Sequence, residues 1–230
     1  MPAPTSPLNR WRNRLRARRI RVAWRWYARG YHWGKRALDL VLVVPALLLL
    51  APLFALVAIA IRAYDGGPVL YWQRRVGRHG REFDFPKFRS MRVDADALRE
   101  QLLARNQHGA DGVTFKLRRD PRITPVGCWI RRTSIDELPQ LWCVLKGEMS
   151  LVGPRPPLVS EVARYTLAER ERLSVTPGLT CTWQVNGRSE VPFPQQVAMD
   201  LDYIRRPGLW ADVRLLLKTL PAVIRGRGAY

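Results

Sequence analysis

The chain has 230 residues and a mass of 26.5 kDa, room for one globular domain with an appendage but not for two full domains. Lys and Arg number 39 against 19 Asp and Glu, a formal charge of +20 that favours an anionic partner: nucleic acid, anionic lipid or a phosphorylated substrate. The three cysteines (Cys128, Cys143, Cys181) have no CxxC spacing and the three histidines (His32, His79, His108) stand alone, which argues against a disulfide framework or a zinc site and suits a reducing compartment.

In chain order, residues 1–36 come first, with eleven Arg and Lys and no acid. On a helical wheel Leu8, Trp11, Leu15, Val22 and Trp26 share one face among arginines. Such a basic amphipathic leader suits either an anionic membrane surface or a nucleic-acid-seeking arm. The next element is the uncharged run LVLVVPALLLLAPLFALVAIAI, 22 residues from Leu40 to Ile61. It is too long and too uniformly apolar for a core helix in so small a domain, so residues 37–62 are read as a membrane helix. Two features favour a re-entrant helix that turns back. Pro52, near the middle, removes a helix hydrogen bond and crowds the preceding turn, and Pro45 adds a second interruption. Lys35 and Arg36 before the run, and Arg62, Arg74, Arg75, Arg78 and Arg81 after it, give the positive-inside rule no preferred side. The alternative is a proline-kinked helix that spans the bilayer.

Residues 63–230 read as a compact, helix-rich α/β mixture. Strands are expected at Val69–Gln73 and Glu82–Phe88 around the turn residues Gly77–Gly80. Asp94–Arg105 reads as a helix with an Asp cap, and residues 106–121 as loop. Further helices are expected at 122–132, 135–146, 159–172, 194–205 and 211–224.

RRTSIDELPQL, Arg131 to Leu141, places the adjacent acids Asp136 and Glu137 behind two arginines at a helix start. Ser134-x-x-Glu137 fits a capping box, and acids in a first turn complement the helix dipole. The box needs Glu137 alone. Asp136 is surplus to it, and beside Arg131 it is expected to remain ionised, able to serve as a nucleophile or a Mg²⁺ ligand. Cations recur on the neighbouring loops: Lys87 and Arg89 in FDFPKFRSM, Arg155 in KGEMSLVGPRP and Arg188 in WQVNGR. Several rigid loops that each offer a cation suit a diphosphate held at more than one oxygen.

The segments KRALDLVLVVPALLLLAPLF, GPVLYWQRRVGRHGREFDFPKFRSM, DPRITPVGCWIRRTSIDELPQLWCVLKGEMSLVGPRP and PGLTCTWQVNGR, in this order, resemble the bacterial sugar transferases. These are the polyprenyl-phosphate hexose-1-phosphate transferases that start exopolysaccharide, O-antigen and glycan assembly. The likeness covers about residues 34–224. The chain is similar to the small monotopic form, which lacks the multi-span N-terminal region of larger members and has a re-entrant helix broken at the position of Pro52, with interfacial amphipathic helices. The resemblance implies a Mg²⁺-dependent enzyme at the bacterial inner membrane, its catalytic domain (63–230) on the cytoplasmic face. Asp136 would attack the sugar-bearing phosphate of a UDP-sugar, release UMP and form a covalent phosphosugar intermediate that polyprenyl phosphate then displaces. Glu137 would assist through the metal, both acids being candidate metal ligands, or as acid/base. Lys87, Arg89, Arg131, Arg155, Gln184 and Arg188 are the candidate phosphate and substrate residues. Ala51 departs from a frequent Ser before the helix-breaking proline, Cys143 from a frequent Asn and Cys181 from a frequent Gly.

The implied partners are UDP-sugar, polyprenyl phosphate and anionic membrane lipid, with no nucleic acid and a homo-oligomer left open. The rival reading is a membrane-tethered basic protein that binds nucleic acid or lipid without catalysis, motivated by the charge and the Arg/Trp leader.

Overall fold

The computed structural model describes residues 7–95, 97–98, 120–187 and 190–225, with backbone alone for 7–29 and 223–225. α1, Pro7–Asp65, is one α-helix that carries Pro45 and Pro52 inside it. The interruption expected at Pro52 is therefore not a loss of helical backbone. A proline removes one donor, and a helix whose flanking turns are hydrogen-bonded and packed absorbs that loss locally.

The helix has two apolar faces with different surroundings. Val43, with Ala46, Leu47 and Leu50, packs against Phe83, Phe85, Leu141 and Val144. One to two turns on, Leu53, Phe54, Val57 and Ile61 pack against Phe88 and Ile130. The opposite stripe, Val41, Leu48, Leu49, Leu56 and Ile59, is exposed, and the stretch Gly30–Asp65 is long and apolar enough to cross a membrane. One face thus packs into two of the core clusters, while the other is left exposed by the described residues.

Polar contacts fasten both ends of this stretch to the same domain. Lys35 Nζ lies 2.8 Å from the buried Asp212, which also accepts from Tyr31 and Tyr203. Arg36 donates to the carbonyls of Val144 (2.5 Å) and Leu145 (2.7 Å), satisfying the end of α3 (Leu141–Lys146). Asp39 accepts from the Leu151 amide at 2.9 Å and the Ser150 hydroxyl at 3.1 Å. At the far end Asp65 pairs with Arg89.

β1 (Leu70–Val76) and β2 (Glu82–Phe88) form an antiparallel hairpin. α2 (Pro125–Arg132) is capped by the Thr124 hydroxyl, which accepts from the Gly127 amide. A Cβ at Gly127 would lie 1.9 Å from the Ser90 carbonyl, so only glycine permits this approach. A parallel pair absent from the sequence reading, β3 (Ser150–Val152) and β4 (Gly178–Thr180), sets the LVGPRP segment beside PGLT.

The remaining helices are α4 (Val159–Ala163), α5 (Leu167–Arg170), α6 (Thr182–Val185), α7 (Phe193–Arg205) and α8 (Leu209–Arg225). The helix expected over 159–172 is two short ones, because Thr166 and Glu169 form a capping box that starts α5 afresh. The expected helix 135–146 is a 3-10 turn, Ile135–Gln140, followed by α3, with Pro139 disfavouring α-helical bonding at the junction. The helix expected over Asp94–Arg105 lies mostly outside the described residues, and the described Asp94 carboxylate bonds Arg92.

Candidate active site

The hairpin supplies the first wall. Gln73 stands opposite Phe85 and Tyr71 opposite Lys87, so strand alternation puts Gln73, Arg75, Phe85 and Lys87 on the inner face. Trp72, Arg74, Glu82 and Asp84 face solvent. The Phe85 ring is fully buried and carries Arg75 Cζ at 5.2 Å and Lys87 Nζ at 5.6 Å from its centroid. The 3-10 turn packs on β2 and delivers the acid pair. The strand β3 leads into the turn that holds Arg155.

These elements converge on Glu137. Lys87 Nζ lies 3.1 Å from Glu137 Oε1, Arg155 Nη2 lies 2.7 Å from the same oxygen, and Arg155 Nη1 is 3.4 Å from Oε2. Burial opposes ionisation of Glu137, but the Arg155 and Lys87 charges outweigh it and hold the carboxyl well below the usual range. Burial works against the Lys87 ammonium and lowers its pKa, with Glu137 opposing. For Arg155 the Glu137 charge wins over burial, and its pKa is raised.

The capping box expected at Ser134 is not formed. Ser134 is in the left-handed region (φ 58°) and its hydroxyl makes no cap bond, while the Glu137 side chain is turned to the two cations. Ion pairing at Glu137 displaced the capping role that the spacing allowed.

Asp136 has the opposite environment. It is buried, and no donor among the described residues bonds its carboxylate. Burial pushes its pKa up to about 6; Lys87, Arg131 and Arg155 counter this, and Glu137 adds to it. Desolvation outweighs the nearby cations, Arg131 among them, but a value near 6 still leaves Asp136 mostly ionised at neutral pH. Adjacent carboxylates thus differ sharply, one clamped as an anion and one buried with its oxygens unspent.

Of the other sequence candidates, Arg131 ends α2 and acts on Asp136 through space, with no ion pair among the described residues. Arg89 is not in the cluster. Its guanidinium is bound to Asp65 and the Pro68 carbonyl and locks the exit of α1, because β2 ends at Phe88 and the chain turns away. Gln184, on α6, accepts from the buried Cys181 thiol at 3.1 Å, and Cys181 lies within electrostatic reach of Arg155. Arg188 lies outside the described residues. Gln140 is fully buried, and neither amide atom has a partner among the described residues.

Arg75 is the residue the sequence reading missed as a site candidate. Only the hairpin register, which pairs Gln73 with Phe85, reveals that it shares a face with Lys87.

Divalent metal can be weighed against this donor set. Among the described residues no group of three metal-ligating side chains occurs. Among the described residues, Glu137 Oε1 is shared by two cations, Oε2 has a single long contact, and no donor bonds the Asp136 carboxylate. The pair therefore fits Mg²⁺ as carboxylate ligands whose remaining partners are water and substrate phosphate oxygens.

The family model for bacterial sugar transferases matches residues 30–226. The chain is 45% identical to the galactosyl transferase CpsE of Streptococcus agalactiae over 91% of its own length and 46% of that protein. It is 41% identical to the exopolysaccharide production protein ExoY of Rhizobium meliloti over 86% of its length and 88% of that protein. It is 43% identical to the undecaprenyl-phosphate galactose phosphotransferase of Salmonella typhimurium over 88% of its length and 43% of that protein. The chain therefore spans less than half of two of these relatives and most of the third.

Proposed function

The chain belongs to the bacterial sugar transferase family, and we propose that it transfers a hexose-1-phosphate from a UDP-sugar to undecaprenyl phosphate, releasing UMP, at the start of exopolysaccharide assembly. The observation that carries this reading is the contrast within the acid pair. A diphosphate needs fixed positive charge around the phosphorus under attack, and Lys87, Arg131 and Arg155 supply it. A carboxylate nucleophile needs oxygens that are not bonded away, and no donor among the described residues bonds those of Asp136.

In the first half-reaction an Asp136 oxygen forms a bond to the sugar-bearing phosphorus, the bond from that phosphorus to the UMP oxygen breaks, and UMP leaves with the electron pair. In the second, an oxygen of polyprenyl phosphate forms its bond to the same phosphorus and the Asp136 bond breaks, restoring the carboxylate. Glu137 stays ionised throughout and fixes Lys87 and Arg155 against the phosphate oxygens. Glu137 and Asp136 would hold Mg²⁺, which would supply neutralisation of phosphate charge.

The same reading places the chain at the cytoplasmic face of the inner membrane with α1 inserted from one side. Support comes from the packing: Asp39 and Asp65 bracket an apolar segment about 33 Å long at the helical rise, yet both bond the same domain. An upright span would carry that domain into hydrocarbon, together with exposed charges such as Arg74 and Asp84. The outward stripe of α1, continued by Trp33 and by Trp210, Leu217 and Leu220 of α8, suits a surface lying in lipid.

The test is UMP release. The full chain in membranes, with Mg²⁺, undecaprenyl phosphate and a panel of UDP-sugars, is expected to release UMP with at least one donor and to form a lipid-linked sugar diphosphate. No release with any donor, from a preparation shown to be folded, would overturn the reading.

A further inference from the structure

Arg75 differs from Lys87 and Arg155 in how its charge is used. Lys87 and Arg155 are bonded to Glu137. Arg75 donates from Nε and Nη2 to Gln73 Oε1 (3.0 and 2.6 Å) and from Nη1 to the Pro156 carbonyl (2.9 Å), all neutral acceptors. Among the described residues it forms no ion pair. A guanidinium carries two N–H groups on each terminal nitrogen, so both Nη1 and Nη2 retain an unspent donor.

Its location is as informative as its bonding. Pro156 follows Arg155, and the Val76 amide donates to the Pro157 carbonyl at 2.9 Å, so the end of β1 is stitched to the turn that presents Arg155. Burial, and then the like charge of Arg155, bring the Arg75 guanidinium down to about 10. Four cations, Arg75, Lys87, Arg131 and Arg155, therefore lie among three carboxylates, the pair Asp136 and Glu137 and, within electrostatic reach of Arg75, Glu161 of α4. That excess is unfavourable in a partly buried site until an anion arrives. A diphosphate group has the charge to offset it.

We propose that Arg75 binds the phosphoryl group adjoining the one that Asp136 attacks: the nucleotide phosphate as it leaves, and the lipid phosphate as it enters. This rests on the transferase reading above. Both phosphates occupy the same side of the transferred phosphorus in the two half-reactions, so one subsite serves both. Gln73, bonded to Nε and Nη2, orients the fork, and the Phe85 face supports it.

The test compares each phosphate with its uncharged analogue on the full-length protein in detergent. UMP and uridine are titrated by calorimetry, and farnesyl phosphate and farnesol in parallel, against wild type, Arg75→Gln and Arg75→Lys. Loss of a charge-assisted bond predicts that Arg75→Gln weakens UMP and farnesyl phosphate by about tenfold or more, with uridine and farnesol unchanged. Arg75→Lys should recover part of the loss, because it keeps the charge without the fork. Equal weakening of phosphates and uncharged analogues would mark Arg75 as a structural tie and overturn the proposal. So would a loss confined to one of the two phosphates, which contradicts a shared subsite. If wild type prefers UMP to uridine and Arg75→Gln matches it, this inference alone fails. A wild type with no preference for UMP would refute the transferase reading, and this inference with it.

Discussion

Asp136 and Glu137 are adjacent, yet they are predicted to affect stability with opposite signs. Asp136 titrates near 6 when folded and near 3.8 when unfolded, so burying its charged form costs stability as pH rises through this range. Asp136→Asn removes that cost, and thermal unfolding at pH 8 should show a gain of about 3 kcal/mol with activity abolished. Glu137 runs the other way. Its folded pKa is depressed below 4.5, so its contribution is present at neutral pH and lost as pH falls below that value. Glu137→Gln leaves Lys87 and Arg155 uncompensated and should cost about 2 kcal/mol in the same measurement. Stabilisation by Glu137→Gln, or destabilisation by Asp136→Asn, would contradict this assignment. Ionised Asp136 is the reactive form, so kcat/KM should fall about tenfold per pH unit below about 6. An acid limb centred near 4 would mean that burial has not shifted the nucleophile. The residue types at this site were legible in the sequence, because charge and motif are local properties. Which acid pairs with which cation was not, since Lys87, Glu137 and Arg155 meet only through the hairpin and the turn after β3. Arg89 lies apart from this cluster for a related reason: it follows Lys87 by two residues, but the strand ends between them.

Among the elements, α1 is long and apolar enough to cross a membrane and is also a core component, and that double character explains what its sequence concealed. A uniformly apolar run shows that the segment avoids water; it does not show that one stripe packs on Phe83, Phe85 and Phe88. The β2 strand and α7 were legible from alternation and helical periodicity, and their bounds differ little from expectation. β3 and β4 were not, because three-residue strands carry no periodicity and their pairing needs the close approach of Gly153 and Gly178. The docking of α1 makes a prediction of its own. Asp39→Ala leaves the Ser150 hydroxyl and the Leu151 amide without their buried acceptor, at a cost of about 2 kcal/mol. Because β3 carries the chain into Arg155, UMP affinity should fall as well. Unchanged denaturation and unchanged UMP affinity would show that Asp39 does not tie the membrane helix to the site.

At the scale of the whole molecule, the claim about orientation is that both flanks of the apolar segment lie on one side of the bilayer. Gly30→Cys and Arg81→Cys, each in a background lacking native thiols, should both resist a membrane-impermeant label applied to intact cells. Labelling of one alone would establish a span. The basic leader, the exposed tryptophans Trp33 and Trp210 and the net charge of +20 suit the proposed seat on anionic lipid and the proposed phosphorylated substrates. The proposed chemistry turns on one step, the bond between Asp136 and the sugar-bearing phosphorus. The direct measurement is mass spectrometry of the intact protein, and of the peptide bearing Asp136, after incubation with Mg²⁺ and a UDP-sugar that supports turnover, without polyprenyl phosphate. The account predicts UMP release, one added hexose-phosphate on Asp136 and loss of that adduct when polyprenyl phosphate is supplied. Turnover near the wild-type rate by Asp136→Asn, or an active preparation that never carries the adduct under these conditions, would contradict it.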